Sequence, residues 1–336
     1  MNIDGIEQGI SLYSFNREFV TLPDYTIEDA LDDLVALDVQ QYELVGSVFF
    51  EHYPRPDPAE VERVLAASEV RGVTPFSYGG YMDVGRITGH DPGPQDYILD
   101  LTADLRTARE LGCRYLRETN IPIDLLPMAA EFADYYGVNI GIEVHAPSKP
   151  SDRHIQEQLE AFERIGSERL GFIPDFGCFI ERPAAPALDR HIAAGADPEL
   201  LEYIIANRHS GLTEDQMHQR IREMGGGEAE RVAIAEFFGF LSFGPADLDG
   251  FTTLLDRTHY FHSKFYYVTE ELEDPTIPMP ALLSAIVDSG FQGVLMSEYE
   301  GHAFQDSDAP LQLARHLRLE QQILSGSAKQ HEIRSR

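Results

Sequence analysis

Cysteine is scarce in this chain: Cys113 and Cys178 are the two among 336 residues. Two thiols frame no disulfide scaffold, and a reducing compartment is the default expectation. Positive charge is scarce as well. Lys and Arg total 26 against 57 Asp and Glu, a net charge of −31. So acidic a surface repels phosphate backbones and anionic lipid heads, which argues against nucleic acid and membrane as partners. The charge supplies solubility and, locally, a field that concentrates a divalent cation. No apolar run approaches the roughly 18 consecutive residues of a membrane helix. The opening "MNIDGIEQGISLYSF" has no basic segment leading into a long apolar one, so no signal peptide is expected. Together these absences predict a cytoplasmic protein. No G-x-G-x-x-G follows the first strand-like run, which weakens a dinucleotide-binding reading.

What is present is a regular alternation. The composition, 43% hydrophobic and 25% charged, is that of a globular protein. Short β-rich runs take turns with amphipathic helical ones. The strands are expected in "GISLYSF", "QQYELVG", "VTPFSYGG", "CRYLRETN", "VNIGIEVHAP", "LGFIPDFG", "HYFHSKFYYV" and "GVLMSEYEG". Helices fill the intervals, the first capped by Thr26 with Asp29 three residues on. Eight strand–helix units predict an α/β fold, a (β/α)8 TIM barrel. One barrel is expected over residues 1–325, with a polar tail over 326–336.

The rhythm breaks once, between the sixth and seventh strands. A helical insertion is expected at about 181–255. Asp197 caps one helix with Pro198 at its first position, and Thr213 with Gln216 forms a capping box for another. Gly225, Gly226 and Gly227 read as a flexible joint. "AEFFGFLSFG" gathers aromatics for packing against the barrel, for a lid, or for a subunit contact.

Barrel enzymes place their chemistry at the carboxyl ends of the strands. Four of those ends carry groups that can converge: Glu143 and His145 on the fifth strand, Asp175 on the sixth, His262 and Lys264 on the seventh, and Glu298 on the eighth. Singly, each has an ordinary structural explanation. A strand-end Asp is usually a turn residue, and a lone His is usually satisfied in a core. Four on consecutive strands point to a metal site of Glu143, Asp175, His262 and Glu298. Three carboxylates with one imidazole suit Mn2+ or Mg2+, with Co2+, Fe2+ or Zn2+ as alternatives. Residues i and i+2 of a strand share a face, so His145 faces the same space as Glu143. It is either a base that removes a proton next to a carbonyl or a support for a ligand. The acidic "SEYEGHAFQDSD" offers no phosphate site, so an unphosphorylated substrate is expected.

"IEVH", "PDFG", "HSK" and "SEYEG", in this order, resemble the xylose isomerase-like TIM barrels, the broad group of sugar phosphate isomerases and epimerases. The resemblance covers the barrel and implies one divalent metal, often manganese, at the four residues named. It departs from the ketose epimerases, which usually place a histidine where Cys178 stands and an arginine near Lys264 and Tyr267. The His145 position, the insertion and "SEYEGH" resemble more narrowly the α subunits of bacterial C-glycoside deglycosidases. That resemblance implies a lyase acting on 3-keto C-glycosides, assembled with a small β subunit, homo-oligomers being a further expectation. His145, Glu143, Glu298 and Lys264 would then be catalytic. Tyr78, Tyr81, Cys178 and His302 would touch substrate, with Phe238 and Phe240 also available for stacking. An isomerase or epimerase of a keto sugar is the alternative, and a non-catalytic sugar-binding barrel the second.

Overall fold

The computed structural model describes residues 2–3, 5–82, 88–89, 91–239, 243–304 and 308–334. Its eight barrel strands are β1 (Ile6–Ser11), β2 (Gln41–Val45), β3 (Thr74–Gly79), β4 (Tyr115–Glu118), β5 (Asn139–Val144), β6 (Leu170–Pro174), β7 (Phe261–Phe265) and β8 (Gly293–Tyr299). All neighbours pair in parallel, in the order β6-β5-β4-β3-β2-β1-β8-β7. A two-residue strand, Asn2–Ile3, folds back antiparallel on β1. Between β6 and β7 there is no continuous ladder. Two parallel bridges, Phe172↔Thr258 and Asp175↔His262, hold the seam. The expected barrel is therefore present, and its closing seam joins two of the residues singled out from the sequence.

The helices lie where the apolar periodicity put them. They are α1 (Ile27–Ala36), α2 (Pro58–Arg71), α3 (Pro94–Glu110), α4 (Leu126–Tyr136) and α5 (Arg153–Ile165). The Thr26 backbone N–H donates to the Asp29 carboxylate at 2.8 Å, which starts α1 as expected. Among the described residues, five more helices separate β6 from β7: α6 (Ala185–Ala193), α7 (Pro198–Asn207), α8 (Glu214–Glu223), α9 (Glu228–Gly239) and α10 (Leu248–Leu254). Asp197 accepts from the Glu199 N–H at 2.8 Å at the head of α7. Thr213 and Gln216 close the capping box of α8 in both directions, at 2.9 and 3.3 Å. These helices bury a core of their own around Leu201, Ile204, Ile221, Ile234, Phe237 and Phe243. The joint between α8 and α9 is packed, because a Cβ on Gly226 would meet Ile221 Cγ2 at 2.4 Å. The last two helices are α11 (Met279–Asp288) and α12 (Ala309–Arg334). The latter continues through most of the expected polar tail. Propagating an existing helix costs little compared with starting one.

Strand parity divides the barrel interior into two layers. The lower one is apolar and aromatic, made of Phe76, Tyr115, Ile173, Tyr260, Val294 and Met296. It fits because Gly141 has no side chain: a Cβ there would stand 2.4 Å from Ile173 Cδ1. Above it, toward the carboxyl ends of the strands, the interior is charged. A register shift in the β2–β3 pairing, between Tyr42 and Glu43, leaves one extra residue in β3. The bulge lets consecutive residues Phe76 and Ser77 both reach inward. Among the described residues, no helix is long and apolar enough to cross a membrane.

Candidate metal centre

Glu143, Asp175, His262 and Glu298 each bring one ligand atom into a group whose members lie within 4.8 Å of one another. All four are buried, Asp175 and His262 completely. The fold explains the convergence. β5, β6, β7 and β8 meet at the barrel seam, and the Asp175↔His262 bridge sets the two central residues side by side. His262 Nδ1 stands 3.1 Å from Glu143 Oε1 and 3.4 Å from Glu298 Oε2. Neither this nitrogen nor Asp175 Oδ2 makes a well-directed hydrogen bond, although both are fully buried.

Cations flank the group. Lys264 Nζ lies 2.7 Å from Asp175 Oδ2, 3.3 Å from Glu298 Oε2 and 3.2 Å from Glu300 Oε1. Arg117 reaches Glu143 Oε2 with Nη1 at 2.8 Å and Glu43 Oε1 with Nε at 3.1 Å. Five carboxylates, Glu43, Glu143, Asp175, Glu298 and Glu300, thus face two fixed cations. His262 lies among these carboxylates, which favour its charged form, and even with that third positive charge the negative charge of this buried site stays in excess.

The proton affinities reflect that field. Burial alone pushes Glu43 up, but Arg117 and His262 reverse this and draw it down to about 2. Glu143 is likewise favoured in its neutral form by burial, yet Arg117 and His262 hold it well below the carboxylate range. For His262, burial opposes charge, while Glu43 and Glu298 raise it well above an ordinary imidazole. Lys264 is raised despite its burial, by Asp175, Glu300 and Glu298. Glu300 is raised, chiefly by desolvation.

A divalent cation fits this arrangement on two counts. Three oxygens and one nitrogen are a donor set for a hard to borderline ion. His262 Nδ1, buried among carboxylate oxygens without a well-directed hydrogen bond, is free to act as a ligand, and a cation held by these four residues would offset excess negative charge.

His145 sits at the rim, its side chain about half exposed. Its Nδ1 is 2.6 Å from the Ala146 carbonyl, and its Nε2 is 3.0 Å from Lys264 Nζ. A carbonyl can only accept and an ammonium can only donate, so Nδ1 carries the hydrogen and Nε2 the lone pair. That lone pair points toward the charged group, 3.8 Å from Asp175 Oδ2. Beside it opens a cavity of about 450 Å³. Its lining includes the polar side chains of His145, Glu300, Thr276 and Tyr266 and the apolar ones of Ile180, Pro183, Phe243 and Phe304. Phe243 belongs to the inserted segment, which thus contributes to the cavity as well as to its own core.

The other residues singled out from the sequence are dispersed. Tyr78 is fully buried against Phe50, with ring centroids 6.3 Å apart, and lies away from the cavity. The β3 bulge turns it toward the helical layer. Tyr81 is 45% exposed, and its backbone is held by the Tyr53 hydroxyl at 2.6 Å. Neither lines the cavity, so the stacking expected of them has no counterpart there. Cys178 donates its thiol to the Val144 carbonyl at 3.0 Å, in a recess adjoining the cavity. His302 packs between Tyr13 and Tyr299, at 6.1 and 5.9 Å, and burial lowers its proton affinity. Phe238 takes the Arg208 guanidinium on its ring at 4.3 Å. Phe240 lies outside the described residues.

Three charged residues of the site were not anticipated: Glu43, Arg117 and Glu300. Their signal was present. Glu43 in "QYELV" and Arg117 in "YLRE" are charges inside strand-like runs, the feature that singled out Glu143. Glu300 follows Glu298 at the spacing that puts two side chains on one face.

Comparison with known proteins agrees with the fold. A model of the xylose isomerase-like TIM barrel family matches residues 31–320. The chain is 29% identical to a C-glycoside deglycosidase alpha subunit from Arthrobacter globiformis, over 90% of this chain and 87% of that one. It is 27% identical to a 3'-dehydrocarminate deglycosidase alpha subunit from a Microbacterium species, over 91% of each. Among solved structures, L-ribulose 3-epimerase superposes with a TM-score of 0.58 at 12% identity, over 100% of this chain and 99% of that one. That last likeness is one of fold.

Proposed function

The chain belongs to the xylose isomerase-like TIM barrel family, and from that premise we propose that it is the catalytic α subunit of a C-glycoside deglycosidase. The observation that carries the reading is the gathering of Glu143, Asp175, His262 and Glu298 close to His145, which itself lines a largely apolar cavity. Near full-length similarity to deglycosidase alpha subunits favours the lyase over an epimerase. The substrate class is a 3-keto C-glycoside, unphosphorylated, with its sugar against the polar side chains of the cavity and its aglycone along Ile180, Phe243 and Phe304. The cofactor is one divalent ion, Mn2+ in this reading, held by Glu143, Asp175, His262 and Glu298. When bound, it would polarise the sugar carbonyl and make the neighbouring C–H more acidic.

The residues themselves divide the remaining work. His145 Nε2, whose lone pair faces the site, removes the proton from the carbon between the ketone and the anomeric carbon. The electron pair left behind forms a carbon–carbon double bond within the sugar, and the bond to the aglycone breaks. The aglycone carbon then takes up a proton. Lys264 holds His145 in the tautomer that can act as base. Glu298 and Arg117 fix the charge balance around the reacting sugar. A small second subunit is part of this reading, since the relatives named above are alpha subunits.

Incubation with Mn2+ and a panel of 3-keto C-glycosides, 3-keto O-glycosides and ketohexoses tests it. Free aglycone without ketohexose interconversion is the expected result. Interconversion without aglycone release would replace the lyase with an epimerase.

A further inference from the structure

Glu43 lies on β2, a strand that supplies none of the four proposed ligands. Its carboxylate is completely buried in the barrel interior. Four donors converge on it: Tyr260 Oη at 2.6 Å, Ser77 Oγ at 3.0 Å, and Arg117 Nε and His262 Nε2 at 3.1 Å each, while the Ser11 hydroxyl lies between it and Glu298, at 3.4 and 3.2 Å. Two of them, His262 on β7 and Tyr260 just before it, come from a strand that stands across the interior rather than next to β2.

We propose that Glu43 is a positioning residue: it fixes the ring and tautomer of His262 so that Nδ1 presents a lone pair to the metal ligands. This rests on the reading of Glu143, Asp175, His262 and Glu298 as a divalent-ion site. An ionised carboxylate can only accept, so the imidazole nitrogen facing it carries the hydrogen. In a neutral ring the other nitrogen is then the acceptor. That other nitrogen is Nδ1, the atom set between Glu143 Oε1 and Glu298 Oε2 at 3.1 and 3.4 Å. A lone pair between two carboxylates is a poor arrangement unless a cation joins them. Tyr260, Ser77 and Arg117 hold Glu43 in turn, so the orientation of His262 is fixed from below before any ion arrives. Partners of this kind typically change metal affinity 10–100-fold when removed.

The test uses the full-length protein stripped of metal. Calorimetric titration with Mn2+ should show one site in the wild type and about 10–100-fold weaker binding in Glu43→Gln. The amide replaces an acceptor with a donor and must turn N–H groups toward Arg117 or His262. Unchanged Mn2+ affinity in a folded Glu43→Gln protein would overturn the proposal. A wild type that takes up no Mn2+ would instead overturn the metal-site reading. A second measurement needs no variant. In 15N-histidine-labelled wild type loaded with diamagnetic Zn2+, nitrogen shifts should identify His262 Nε2 as the N–H and Nδ1 as the metal-bound nitrogen. The opposite assignment would refute the role of Glu43.

Discussion

Replacing Arg117 with Met probes the charge balance of the site through stability. Arg117 is 7% exposed, and its guanidinium serves Glu143 at 2.8 Å and Glu43 at 3.1 Å. Methionine keeps much of the apolar stem and removes the charge. Two buried carboxylates then share only His262 and Lys264 with Asp175, Glu298 and Glu300. Breaking a buried pair by deleting one partner costs about 3–5 kcal/mol, because the remaining charge stays desolvated. For a chain of this size each kcal/mol moves the melting temperature by about 2 °C, so a drop of roughly 6–10 °C is expected. The melts should be run in EDTA and again with excess Mn2+. Saturation at 100 times Kd adds about 2.7 kcal/mol to a folded state that binds the ion. The ion would stand against the carboxylates that Arg117 leaves behind, so Mn2+ should stabilise the variant at least as much as the wild type. A folded Arg117→Met protein melting within about 2 °C of wild type in EDTA would refute the reasoning. It would mean that Glu43 and Glu143 are neutral in the native state, and the excess negative charge argued for the site would not exist.

His145→Ala should retain the metal, measured as ion per chain, while aglycone release falls by about 10²–10⁴-fold, the usual contribution of a general base. Loss of both together would make His145 a support for a ligand. His259, beneath the barrel, gives a pH signature. Burial, reinforced by Arg114 and Arg257, holds it down to about 4. The unfolded chain binds this proton below about 6.5 and the folded chain does not, so stability falls as pH drops from about 6.5 toward 4. His259→Asn should recover about 2–3 kcal/mol of the loss between pH 7 and pH 4.5, read from urea midpoints at both pH values. An unchanged difference between the two pH values would place the acid sensitivity elsewhere.

The barrel was legible because each strand is a short apolar run that stops at a polar group, and each helix carries its own start signal. Glu143, Asp175, His262 and Glu298 stood out for the same reason, as charges where an apolar run ends. Glu43 and Arg117 are charges of the same kind, but their partners lie on strands far away in sequence. Glu43 meets Tyr260 and His262 only once β2 and β7 face each other across the closed barrel. Tyr78, expected to touch substrate, lies away from the cavity. The extra residue in β3 sends Phe76 and Ser77 inward and turns Tyr78 to the helical layer, and no local pattern announces the bulge. The helix over the expected tail has a similar cause: "SGSAKQHEIR" lacks apolar periodicity of its own and continues the helix that precedes it.

The central claim is that Glu143, Asp175, His262 and Glu298 hold one divalent ion. Metal analysis of the purified protein, beside Glu143→Gln, tests it most directly. The account predicts about one divalent ion per wild-type chain after Mn2+ loading and desalting, and a folded variant that has lost it. A wild type with no stoichiometric metal, or a Glu143→Gln protein that keeps both metal and full activity, would contradict it.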